Sequence, residues 1–373
     1  MKTDITIGDA NLYRIAVGMS KIGTFENYDV RYVENRINII GKLTEFGRIF
    51  VDTSPIYGDG FSETVIGAHI RKFKNSTFIA TKYYPEDHHT KKDVVESVTK
   101  SLSRLQVENI DLLQLHWPNP LANIEGILEG VEFLIEQGDI GNFGVCNFSI
   151  QEIKELRQKM PNLKILTNQI ELNLTNLSDL ETTNNQESLT MLAYGVLLQG
   201  KITSRSKQYS EIFEYGRNHG ISPAAVAVGV ILAQENQIMP ILKISSIDHL
   251  NDIMRLFEGN LDSTELLNLG SNFRSEIRYV DPDRIILIGD KFRRPYITLE
   301  DALLNREHLF PSPVSLAARI LKLGKVLPLK VRRAEGDTFQ IDYYDPFDQI
   351  KKYWAWRIAY PGYDVPVLVI EDF

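Results

Sequence analysis

Cysteine is almost missing: the 373-residue chain contains one, Cys146. A single thiol closes no intrachain disulfide and builds no Cys-rich zinc site, which fits a reducing compartment. A basic excess is missing too. With 41 Lys and Arg against 49 Asp and Glu the net charge is −8, so no global electrostatic footprint for nucleic acid or anionic lipid exists, although local patches stay open. No window supplies the roughly 18 uncharged apolar residues of a membrane span. The opening "MKTDITIGDANLYRIAV" lacks the charged-then-apolar order of a signal peptide. No G-x-G-x-x-G follows the first apolar run, "RIAVGMSKIG", so the phosphate turn of a doubly wound dinucleotide fold is not there. The expectation is a cytoplasmic protein with neither membrane nor nucleic acid as partner and with self-association left open. No metal-ligand set is read from the sequence.

What is present is an ordinary globular composition, 43% apolar and 24% charged. Up to about residue 255, short β-rich apolar runs alternate with amphipathic ones. The runs are "RIAVGM" (14–19), "RIFVDTS" (48–54), "TFIATKY" (77–83), "DLLQLHW" (111–117), "IGNFGVCN" (140–147), "ILTNQIEL" (165–172), "TMLAYGVL" (190–197) and "IMPILKIS" (238–245). Short and apolar throughout, they read as strands of a parallel sheet buried on both faces. Between them, "TKKDVVESVTKSLSRL" carries a stripe of Val94, Val95, Val98, Leu102 and Leu105, with Thr90 and Asp93 suited to a helix start. Ser149 and Glu152 have the capping-box spacing, and Pro223 sits just inside another helix start. Eight strands, each followed by a helix or a long connection, predict an α/β fold: a (β/α)8 TIM barrel over 1–270. Residues 271–373 change texture and predict an appended small α+β C-terminal domain. Its strands are "RIILIGD", "PLKVRR", "FQIDYYD" and "VPVLVI", and its helices "SPVSLAARILKLG" and "PFDQIKKYWAWRIAYPG".

Function in such barrels collects at the C-terminal strand ends. Those ends offer Asp52, Lys82 and His116 on successive strands, with Tyr57 in the loop after Asp52. A free phenol is a poor acid at neutral pH. A neighbouring ammonium favours phenolate and lowers its pKa, and a carboxylate keeps the lysine charged. Singly, each residue has a plain structural use: Asp as a helix cap, Lys or Tyr as surface or packing, His as a core imidazole. Their joint placement on one rim points to proton delivery to a carbonyl oxygen.

"VDTSPIYGDGFSETVIG", "ATKYY", "SLSRLQVENIDLLQLHWPNP", "GNFGVCNFS", "NQIELNL" and "MLAYGVLLQGKI" together resemble, in order and spacing, the aldo/keto reductase superfamily over residues from about 10 to 258. The resemblance implies a barrel binding NADP(H) or NAD(H) without a Rossmann fingerprint. It implies a tetrad of Asp52, Tyr57, Lys82 and His116, with Tyr57 as general acid in reduction and general base in oxidation. It also implies Asn147 and Gln169 at the nicotinamide amide, with Cys146 where a serine is usual, and Tyr194 stacked on the ring. Gly195 and Val196 stand in place of a common serine and proline. Lys243 and Ser245 are implied at the adenosine phosphate and Asp252 at the adenine. His249 stands where Arg or Gln is frequent. NADP is the expected cofactor, with NAD as alternative. Tyr83 and Trp117 are substrate-pocket candidates for a polar carbonyl or alcohol, such as a sugar derivative or specialised-pathway intermediate.

The C-terminal segment is similar to the ParB/sulfiredoxin-like domain in degenerate form, without a Gly-Glu-Arg-Arg box after "FQID" and without any cysteine. Tyr353, Trp354 and Trp356 either stack on a base or sugar or fill a small core, and Arg293 and Arg294 offer an anion contact. An expected use of this domain is to cap the barrel mouth of its own or a partner subunit. The expectation of an NAD(P)-dependent oxidoreductase stands beside an alternative, a cofactor-sensing regulatory protein signalling through its tail.

Overall fold

The computed structural model describes residues 1–86, 88–177, 180, 189–203, 209–235, 237–258, 261–273, 277–287, 296, 298–306, 308–309, 311–323, 328–341 and 346–369. Arg293 and Arg294 lie outside the described residues. The chain divides into two compact units, one essentially up to Phe273 and one from Arg274.

In the first unit two short strands, β1 (Asp4–Ile7) and β2 (Ala10–Tyr13), pair antiparallel, with Ile5 opposite Leu12. Gly8 makes their turn at φ +57, a left-handed backbone that favours glycine, and a Cβ there would have to displace the Asn142 side-chain oxygen, 2.5 Å away. Eight parallel strands follow: β3 (Ala16–Gly18), β4 (Ile49–Asp52), β5 (Thr77–Tyr83), β6 (Ile110–Leu115), β7 (Ile140–Cys146), β8 (Ile165–Glu171), β9 (Thr190–Tyr194) and β10 (Ile238–Leu242). Each pairs with the next, and β10 returns to β3 to close the barrel. Helices alternate with them: α1 (Val30–Leu43), α2 (Phe61–Ile70), α3 (Lys91–Leu105), α4 (Ile124–Gln137), α5 (Ile150–Lys159), α6 (Ser210–His219), α7 (Pro223–Gln234), α8 (Ile247–Met254) and α9 (Ser263–Ser271). Thr90 and Asp93 form a capping box on α3, Ser149 and Glu152 one on α5, and Ser222 caps α7 ahead of Pro223. The buried stripe of α3 runs Val94, Val98, Ser101, Leu105, with Val95 turned partly outward.

The β1–β2 hairpin is absent from the sequence reading. Ile5, Ile7 and Leu12 share one buried cluster with Phe50, Phe78, Leu112, Leu192 and Met239, which point into the barrel from the lower halves of their strands. The hairpin therefore plugs the N-terminal end. Closing one end with aliphatic side chains leaves the opposite, C-terminal rim for polar groups.

The second unit holds β11 (Ile277–Val280), β12 (Ile285–Ile286), α10 (Leu299–Leu303), α11 (Pro313–Leu323), β13 (Leu329–Arg333), β14 (Phe339–Ile341), α12 (Pro346–Ala359) and β15 (Val365–Val369). Its mixed five-stranded sheet runs β11-β15-β13-β14-β12. β11 is not among the strands read from the sequence. Tyr353, Trp354 and Trp356 are buried in this unit's core with Leu329, Val331, Val365 and Val367, and the Trp356 indole donates to the Asp364 carbonyl at 2.8 Å. Of the two expectations for these aromatics, core packing is what the fold makes of them. Among the described residues, no helix is long and apolar enough to cross a membrane.

Candidate active site

Parallel pairing sets the geometry of the rim. Asp52 ends β4 opposite Ala80, so Lys82 lies two residues further along β5 on the same inward face. The Lys82 ammonium donates to Asp52 Oδ1 at 2.7 Å, to the Thr53 carbonyl at 2.7 Å and to the Tyr57 hydroxyl at 3.1 Å. Asp52 and Lys82 are 3% and 1% exposed, so this ion pair is desolvated and its remaining polar contacts matter. Gln169 on β8 supplies one, donating from Nε2 to Asp52 Oδ1 at 2.8 Å. His116, one residue past β6, meets the Tyr57 ring edge-on at 6.1 Å between centroids and the Tyr84 ring at 5.2 Å. Its carbonyl accepts from Asn147 Nδ2 at 3.4 Å, and the Asn147 backbone N–H returns to the Gln169 carbonyl at 2.8 Å. A closed circuit results: Asp52, Lys82, Tyr57, His116, Asn147, Gln169 and back to Asp52.

The backbone makes room for this circuit at two left-handed positions. Gly58, φ +65, follows Tyr57, and a Cβ there would stand 2.0 Å from the Gly23 carbonyl oxygen. Asn147 adopts φ 63, a conformation asparagine tolerates better than most residues. Its side-chain oxygen accepts from the Tyr194 hydroxyl at 2.9 Å.

Charge in the circuit follows burial first and partners second. Burial pushes the Tyr57 phenol up; Lys82 opposes this, Asp52 reinforces it, and the value settles at about 12. The expectation that Lys82 lowers the phenol is thus correct in the sign of that one interaction and overridden by desolvation. Burial, the largest single influence, would lower the Lys82 ammonium, but Asp52 together with the neighbouring Tyr57 and Cys146 outweighs it and holds the lysine protonated. Cys146, wholly buried, is pushed upward by burial against the pull of Lys82, so it remains a neutral thiol.

The other expected contacts distribute as follows. Tyr83 alternates away from Lys82, is 2% exposed, and bonds His89 Nδ1 through its hydroxyl at 2.7 Å. Trp117 is half-buried just past His116. Gly195 follows Tyr194 at φ +70. Lys243, Ser245 and His249 are exposed around the start of α8, where Ser246 caps the helix and Ser245 Oγ lies 2.9 Å from His249 Nδ1. Asp252 is engaged within the fold, both carboxylate oxygens accepting from the Ser222 backbone N–H at 3.2 Å. Three groups at the site went unread in the sequence: the Thr53 carbonyl on Lys82, Ser54 Oγ at 3.4 Å from His116 Nδ1, and Tyr84 against the His116 ring. Tyr84 had a signal, the doubled tyrosine of "TKYY"; the carbonyl had none.

The donor set fits a nicotinamide dinucleotide. Amides at Asn147 and Gln169 match a carboxamide, the Tyr194 ring offers a stacking face, and Lys243, Ser245 and the α8 N-terminus suit phosphate.

Comparison with known proteins agrees. The model of the Aldo/keto reductase family matches residues 14–269. Methylglyoxal reductase YeaE of Escherichia coli is 27% identical over 266 residues, 70% of this chain and 91% of that protein. Aldo-keto reductase YhdN of Bacillus subtilis is 33% identical over 196 residues, 49% of this chain and 58% of that protein. Among solved structures, the thermostable aldo-keto reductase Tm1743 is similar with a TM-score of 0.64 at 27% identity, covering 72% of this chain and 99% of that one. A Klebsiella pneumoniae aldo/keto reductase in complex with NADP and acetate shares the fold, with a TM-score of 0.61 at 23% identity over 73% of this chain and 96% of that one. With the family model spanning the whole closed barrel and the polar rim it carries, the chain belongs to the aldo/keto reductase family of NAD(P)H-dependent oxidoreductases.

Proposed function

We propose that this protein reduces a small polar carbonyl compound, and oxidises the corresponding alcohol in reverse, with Tyr57 as the proton donor and acceptor. The observation that carries the reading is the Lys82 ammonium held between the Asp52 carboxylate and the Tyr57 hydroxyl. NADP(H) is the proposed cofactor, the dinucleotide named for the Klebsiella protein, with Lys243 as the cation toward a 2′-phosphate. Bound, it supplies or accepts the hydride. The chain's own residues do the rest. His116 and Tyr57 orient the carbonyl oxygen by hydrogen bonding, and Tyr57 gives its proton to that oxygen as the carbon is reduced. Lys82 stabilises the phenolate left behind, and Asp52, held by Gln169, keeps Lys82 charged. Trp117 and Tyr84 line the substrate side, while Tyr83 braces the loop from behind through His89. Small size and polarity of the substrate draw support from the name of the E. coli relative, a methylglyoxal reductase. For the second unit, the ParB/sulfiredoxin-like likeness is proposed for fold alone, on its order of short strands and helices.

The test is NADPH oxidation followed by absorbance against methylglyoxal, short aldehydes, ketones and oxidised sugars. Tyr57→Phe should lower kcat by about 10²–10⁴-fold, the usual worth of a positioned acid, with NADPH affinity by fluorescence titration retained. A variant that keeps its rate within tenfold rules out Tyr57 as the donor.

A further inference from the structure

The loop between β5 and α3 carries Glu86, His88 and His89, none of them singled out in the sequence; beyond the brace from Tyr83 to His89 the proposed chemistry gives them no role. Their ligand atoms, one carboxylate oxygen and two imidazole nitrogens, all lie within 4.8 Å of one another. We propose that these three residues form a divalent transition-metal site, of the zinc, cobalt or nickel class, on the rim of the barrel.

Three observations support it. First, the His89 ring is fixed in place. Its Nδ1 is turned into the fold, 2.7 Å from the Tyr83 hydroxyl and 3.2 Å from both the Tyr84 carbonyl and the Glu86 backbone N–H, which leaves Nε2 facing the Glu86 carboxylate. A metal-bound histidine donates its second nitrogen to an oxygen acceptor, and the Tyr83 hydroxyl and Tyr84 carbonyl supply that acceptor once the Glu86 N–H turns away with its side chain toward the ion. Second, His89 Nε2 stands 3.7 Å from Glu86 Oε2. Two ligands each about 2.1 Å from a tetrahedral ion lie about 3.4 Å apart, so the existing spacing spans such an ion after a shift of a few tenths of an ångström. Third, His88 is exposed and its ring stands 5.0 Å from that of His89; among the described residues it makes no hydrogen bond that binding would break. Two imidazoles and a carboxylate are intermediate in softness, which favours zinc, cobalt or nickel over calcium or magnesium, and they leave a fourth position for water.

The location gives the site a use. The loop runs straight on from Lys82, its Tyr84 ring contacts His116, and Tyr83 bonds His89. An ion joining residues 86, 88 and 89 would clip the loop that holds the substrate side of the rim.

The experiment uses the full chain, purified without a polyhistidine tag, stripped with chelator and titrated with Co²⁺ alone. No cofactor or substrate is present, so the outcome is independent of the proposed reaction. One equivalent of Co²⁺ should bind with a visible ligand-field band that Zn²⁺ removes. His88→Ala and Glu86→Gln should each weaken binding at least tenfold with the metal-free circular dichroism unchanged, while His219→Ala, far along the chain in α6, should bind as the wild type does. Absence of one-equivalent binding, wild-type affinity in either loop variant, or an equal loss in His219→Ala overturns the site.

Discussion

At the scale of single residues, the Asp52–Lys82 pair decides much of the molecule's behaviour. Both charges are almost wholly removed from water, so each depends on the other. Removing one partner of a buried pair costs about 3–5 kcal/mol, because the survivor is stranded, whereas an apolar replacement of both is far milder. Asp52→Ala should therefore destabilise by that amount in urea unfolding, and adding Lys82→Met should recover most of it; a double variant no more stable than the single one contradicts this account. The proton balance gives a second test. Tyr57, at about 12, is a phenol throughout the neutral range, so reduction should be insensitive to pH from about 6 to 9. Oxidation needs the phenolate, and its rate should climb about tenfold per pH unit there. A reduction rate that falls across neutrality would show a more acidic donor. Stability responds to the same shifts by falling at high pH. Tyr57 and Lys82 both hold protons more tightly folded than unfolded, where their values are 10.0 and 10.5. Their contribution is complete below about pH 10 and declines as pH rises beyond it, by about 1.4 kcal/mol per group per unit.

Among the elements, the β1–β2 hairpin has the largest structural leverage for its length. Ile7 is 1% exposed against the barrel interior, so Ile7→Ala should cost about 2–5 kcal/mol, read as a lowered denaturation midpoint with the rim chemistry of the folded fraction unchanged. A loss below 1 kcal/mol would mean the plug is not needed. This element also marks where the sequence stopped being legible. The eight barrel strands stood out because parallel strands covered on both faces are written as unbroken apolar runs, and "TFIATKY" matches β5 residue for residue. Four-residue strands such as "DITI" and "ANLY" carry too little pattern to stand out, and the Gly8-Asp9 turn between them was the available clue. Strand ends were read long, 48–54 against Ile49–Asp52, because the residues past Asp52 are buried by the rim and not by the sheet. The four rim residues were legible as chemistry on known strand ends. Gln169 on Asp52 and the Glu86, His88 and His89 group were not, because the first joins distant strands and the second depends on how one loop bends.

For the whole molecule, two units with separate cores predict two unfolding events. One core gathers Phe50, Phe78 and Met239 inside the barrel; the other gathers Leu329, Val367 and Trp356 on a mixed sheet. Calorimetry of the full chain should resolve two transitions, and a chain ending at Phe273 should retain only the barrel's. A single transition lost on truncation would make the units one cooperative body. Cys146 offers a way to watch the first event directly. Its sulfur is enclosed in the barrel wall, fully shielded and uncharged, and no other thiol exists in the chain. An alkylating reagent added to the native protein therefore has nothing to attack until the staves part, so each labelled molecule counts one opening, and the labelling rate is a clock for how often the cylinder breathes apart.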